Sequence, residues 1–142
     1  MGPAEVKAQK ITATVLTNKG KAMFADRVGT SAATYTAPPK FVAMGTGATS
    51  AARTAAATDT ALSSEQETRA TGTETRVTTS VTGDTYQVVG TIAATSARAV
   101  DEGGLFDVVT SSSGNMGTSA TFPVVNLANG DSLQFTWKVQ IS

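Results

Sequence analysis

The sequence predicts a mainly β protein: a single-domain antiparallel β-sandwich or partly closed barrel, with one short N-terminal helix and an extended N-terminal arm. Three observations predict it. Thr and Ala are the commonest residues, and Val outnumbers Ile and Leu together; β-branched side chains suit a pleated, half-buried surface. Several short segments alternate apolar and polar residues, which is the period of a strand with one wet face. Gly, Asn and Pro punctuate those segments as turns do. A chain of 142 residues is expected to form one domain and to bury roughly two-thirds of its unfolded surface. The boundaries expected are a flexible arm over 1–10 and a β domain over 11–142.

The elements follow in chain order. Lys10 to Leu16 reads as a strand. Thr17 then caps a helix from about Asn18 to Val28, with Met23, Phe24 and Val28 spaced to pack on a sheet. Lys40 to Met44, after Pro38-Pro39, reads as a strand, and Gly45-Thr46-Gly47 as a turn. Ala48 to Thr58 is almost wholly Ala, Thr and Ser, a surface loop or extended arm. Asp59 is placed to cap a single turn through Leu62. Thr73 to Thr82 and Tyr86 to Ile92 read as a hairpin about a short Gly83-Asp84 turn. Leu105 to Val109 is a short strand entered through Gly103-Gly104. Thr118 to Val125 is a strand with Ala120, Phe122 and Val124 on one face, and Pro123 belongs at an edge or bulge. After an Asn129-Gly130-Asp131 turn, residues 133–141 alternate strictly, and this segment is expected to pair with 118–125 as a hairpin. Phe135 and Trp137 are its core anchors.

The composition also excludes functions. Eleven Lys plus Arg balance eleven Asp plus Glu, which argues against nucleic-acid binding driven by phosphate contacts. Without Cys there is no disulfide, thiolate nucleophile or Zn-thiolate site; without His the usual proton shuttle and commonest transition-metal ligand are missing. No segment approaches the eighteen or so apolar residues of a membrane span. Met1 to Lys10 lacks the apolar stretch of a secretory signal, so synthesis in the cytoplasm is expected.

Carboxylates remain as candidate chemistry. Asp101-Glu102 precedes two glycines and Asp107 follows, offering Ca²⁺ ligation or a glycosidase-type pair of Glu102 and Asp107. The calcium-loop spacing is absent, and neighbouring strand residues point to opposite faces, so turn capping in water is the expected role. Glu65 and Glu67 near Arg69 read as a salt bridge or solvated face. Lys7, Lys10, Lys19 and Lys21 read as a solvated basic face. Tyr86 and Trp137 are candidate sugar-stacking rings, with Trp137 expected inside. No catalytic, cofactor-binding or metal residue is assigned, and no cofactor is expected.

Several strings then resemble one family. Lys40-Phe41-Val42-Ala43-Met44-Gly45-Thr46-Gly47, Asp59-Thr60-Ala61-Leu62 with Glu65 and Arg69, and Asp101-Glu102-Gly103-Gly104-Leu105-Phe106-Asp107 are similar to virion structural proteins of tailed bacteriophages. So are Asn115-Met116, Phe122-Pro123-Val124-Val125, the Gly130-to-Trp137 ending and the Leu16-Thr17-Asn18-Lys19-Gly20 opening. The resemblance is to small head decoration (cement) proteins and to tail-fibre modules, and it covers most of the chain from about Leu16. It implies a non-enzymatic protein on the capsid surface of a virion, made in the host bacterial cytoplasm and stabilising the shell. The implied partners are the major capsid protein and further copies of the chain, as a trimer or dimer, with no nucleic acid and no membrane. The alternative is a tail or tail-fibre module for host attachment, with exposed aromatics near Tyr35 and Tyr86.

Overall fold

A computed structural model describes the chain except residues 1–4, 12–13, 30–33 and 36. Among the described residues the elements are β1 (Val6–Ile11), β2 (Val15–Leu16), α1 (Asn18–Gly29), β3 (Phe41–Gly45), β4 (Glu65–Thr71), β5 (Thr73–Val77), β6 (Thr85–Ala93), β7 (Arg98–Phe106), β8 (Met116–Leu127) and β9 (Ser132–Gln140). They form a four-stranded sheet ordered β1-β9-β6-β5 and a five-stranded sheet ordered β2-β8-β7-β3-β4. The two sheets pack as a sandwich, not a closed barrel.

The C-terminal alternation builds the core as its pattern requires. Along β9 the odd positions 133–139 are buried and the even ones half-buried. Leu133, Phe135 and Trp137 meet Val88 and Ile92 from their own sheet and Val42, Met44, Val100 and Leu105 from the other. Phe135 and Trp137 stack with ring centres 6.1 Å apart. Gly103 sits beneath them because an added Cβ would lie 3.1 Å from Phe135 and 3.2 Å from Trp137.

The structure departs from the sequence reading in several places. Part of the expected flexible arm, from Val6 onward, is a strand pairing in parallel with β9, from Val6 opposite Ser132 to Ile11 opposite Trp137. The segments 118–125 and 133–141 do not pair; β8 and β9 lie in different sheets. The turn between them, with Gly130 at φ 91°, therefore joins layers and does not close a hairpin. Gly103 and Gly104 lie inside β7. The β5–β6 hairpin forms, but across 78–84, where Asp84 accepts hydrogen bonds from the amides of Thr79, Ser80 and Val81. Thr17 caps α1 by accepting from the Gly20 amide at 2.9 Å. Met23 is buried and Phe24 packs edge-on against Tyr86, yet Val28 is 90% exposed. Pro123 meets both expectations: β2 reaches only Thr118 and Ser119, and 122–124 fall where the β7–β8 register shifts.

Candidate functional site

Four of the buried charges, Arg69, Asp101, Glu102 and Asp107, gather on the outer side of the five-stranded sheet. Leu105 and Gly103 face the core, so Glu102, Gly104 and Phe106 face away from it, as the period of two demands. That outer face is not wet. The segment after β3 folds over it, and the whole run Asp101 to Asp107 is buried. Asp101 joins Glu102 there because the ladder shifts register between Val100 and Glu102.

Glu102 is fully buried. Its Oε1 accepts from Arg53 Nη2 at 2.8 Å and from the Ser63 amide at 3.0 Å, and its Oε2 accepts from the Ser64 amide at 2.9 Å. Arg53 also donates to Asp59 at 2.6 Å, and Ser119 Oγ donates to the same Asp59 oxygen at 2.7 Å. Asp59 therefore caps no helical turn; it accepts from the Ala56 amide instead. Asp101 accepts from the amides of Ala48 and Thr49 at 3.0 and 2.8 Å. Burial works to raise the Asp101 pKa, but the Thr49 and Ala48 donors and the Arg53 charge outweigh it and hold the carboxyl below the usual range. An open depression of about 450 Å³ lies beside these groups, lined in part by Thr49, Arg53, Asp101 and Phe122.

The remaining acids anchor other loops. Glu65 forms a bidentate ion pair with Arg69 at 2.9 and 3.0 Å. Arg69 in turn donates to the carbonyls of Val108 and Ser113 and lies 3.6 Å over the Phe106 ring. This is the expected salt bridge, but buried. Glu67 leaves that face: its φ is 65° and its carboxylate pairs with Arg98 and Thr95. Asp107 binds the amide and side chain of Asn115 at 2.7 and 2.9 Å.

Turn capping was therefore the right role for Asp101, Glu102 and Asp107, but exposure to water was not. Glu102 and Asp107 are five residues apart on an extended segment, about 16 Å, whereas glycosidase carboxylates stand about 5–10 Å apart. Among the described residues no three carboxylates group where a metal ion could sit. Arg53 is the residue that sequence reasoning passed over. Its signal was present: it is the lone charge in the run Ala48 to Thr58.

The aromatic candidates are committed as well. Trp137 is buried. Tyr86 is half-buried, with its hydroxyl 3.0 Å from both the Pro39 carbonyl and the Glu74 carboxylate. Burial first, then the neighbouring Glu74 charge, pushes its pKa far above the usual phenol range. Tyr35 is half-buried beneath the Lys19 ammonium, 5.9 Å from the ring centre. Lys7 reaches the Asn126 carbonyl at 3.0 Å, Lys19 and Lys21 are exposed on α1, and the Lys10 side chain lies outside the described residues.

Protein-family profiles, curated proteins and solved structures all return no match to this chain. No helix among the described residues is long and apolar enough to cross a membrane.

Proposed function

We propose that this chain is a non-enzymatic virion structural protein of a tailed bacteriophage, binding the outer surface of the capsid as a decoration protein. One observation carries the reading beyond the family likeness. The buried carboxylates are spent on loop backbone and on arginines, so the chain's acids act as fasteners and not as reagents. What remains outside is a sandwich whose connecting segments are tied to the sheet and whose exposed residues are largely Thr, Ser and Ala. Such a surface has little side-chain entropy to lose when a neighbour covers it. A clamp repeated over a symmetric shell needs only weak contacts per copy, because many copies act together.

The half-buried placements of Tyr35 and Tyr86 favour this reading over a receptor-binding tail module, which would present those rings to a host glycan or protein. The test is the number of copies of this chain per purified virion, measured against the major capsid protein by quantitative gel densitometry. A count on the order of hundreds, as repeated shell symmetry requires, is the expected result. A few to a few tens would transfer the chain to the tail, and absence from particles would overturn the virion reading.

A further inference from the structure

The edges of the two sheets are treated unequally. Beside β4, the 108–114 segment folds back, held by Arg69 on the Val108 and Ser113 carbonyls and by Ser111 on the Glu67 carbonyl. Beyond β2, the β8 edge carries Pro123 and receives the Ala55 amide at Thr121 Oγ1. At β1 the edge strand carries Lys7, whose ammonium donates to the Asn126 carbonyl. Pro, Lys and covering loops are the usual means of blunting an edge. At β5 no Pro, Lys or covering loop is found among the described residues: it pairs with β6 alone, and Thr73, Glu74, Thr75 and Arg76 are all exposed, with Glu74 and Arg76 its two charges.

This open edge is self-complementary. Glu74 and Arg76 lie opposite Val88 and Tyr86 and so share one face, while Thr75, opposite Gln87, is on the other. An antiparallel copy centred on Thr75 places Glu74 opposite Arg76 of the second copy, and Arg76 opposite its Glu74. The two-fold axis thus makes two cross-strand ion pairs of opposite sign. Centring the axis on a residue is compatible with either hydrogen-bonding phase of an antiparallel ladder. The Arg76 side chain makes no ion pair or hydrogen bond with the described residues, whereas Glu74 already holds Tyr86 at 3.0 Å and Lys40 at 3.7 Å. The second copy would supply the partner that Arg76 lacks. The same two charges would reject an unrelated strand that left them unpaired.

We propose that β5 is the homodimerisation edge of this protein, joining two four-stranded sheets across a two-fold axis at Thr75. The inference does not depend on the virion reading, since it concerns the purified chain alone. The experiment is sedimentation velocity on the full chain at concentrations up to about 0.5 mM, the weak end of specific association. A monomer–dimer equilibrium is expected for the native chain. Glu74→Arg and Arg76→Glu each place like charges opposite one another, and each should weaken self-association by about tenfold or more. An equimolar mixture of the two should regain the dimer, because cations on one chain then face anions on the other. Thr75→Lys sets like charges across the axis on the opposite face and should give monomer with an unchanged far-ultraviolet circular dichroism spectrum. A native chain that is monomeric throughout, a trimer, or a dimer indifferent to these substitutions would overturn the proposal.

Discussion

Glu102 is a fully buried anion on a strand whose other face lines the core, and its three donors all come from the segment between β3 and β4. Removing one member of a buried pair leaves the other desolvated without compensation, which costs about 3–5 kcal/mol. Glu102→Ala should therefore destabilise the fold by about 3 kcal/mol or more, read from urea midpoints at pH 7. Arg53→Met should fall in the same range, since it strands Glu102 and Asp59 together. If each variant lost less than about 1 kcal/mol, the value of an exposed pair, the segment's attachment would have to come from elsewhere. Sequence alone could not assign this role to Glu102. An acid next to two glycines reads as a turn residue, and only the covering segment, thirty-eight positions away at Ser64, makes it a buried anchor.

At the scale of elements, a glycine inside a helix ordinarily costs about 1 kcal/mol relative to alanine. Gly20 in α1 should behave in the opposite way. A Cβ there would run into the Gly117 carbonyl of β8 and lie 2.9 Å from Leu16. The same Gly117 carbonyl accepts from the Thr17 amide at 3.0 Å, so it cannot move without loosening the cap. Gly20→Ala should destabilise by about 1–3 kcal/mol, the usual cost of overpacking, measured as a lower midpoint of thermal unfolding. A higher midpoint would show that α1 rides free of β8. Gly20, which helix propensity alone counts as a flaw, is a contact residue. The β8 and β9 segments show the same limit: strand and turn signals are local and were readable, but whether two strands pair or sit in different sheets is a long-range choice. For β7 the alternation vanished because the loop covering its outer face buries both sides, and a run such as Arg98 to Phe106 then carries no period of two.

For the whole molecule, the absence of His leaves no side chain with an ordinary pKa between about 5 and 8, so stability should be nearly flat across that range. Below it the behaviour is set by acids held under their ordinary values. Asp84 is the strongest case: the amides of Val81 and Thr79 lead the donors that lower it, and they outweigh burial. Asp26, Glu67, Asp101 and Asp131 are lowered too. A carboxyl with a depressed folded pKa binds its proton first in the unfolded chain, so its contribution is complete above the unfolded value, near pH 4, and is lost as the pH falls toward the folded one. Urea midpoints should therefore hold from pH 8 to about 5 and drop steeply below about 4. Asp84→Asn separates one contributor from the rest. The variant should be less stable than the native chain at pH 7, and the gap should narrow at pH 3, because the native chain has by then lost part of what the charged carboxylate contributed. A gap of equal size at both pH values would mean that the 78–84 loop is held by its geometry and not by the charge of Asp84.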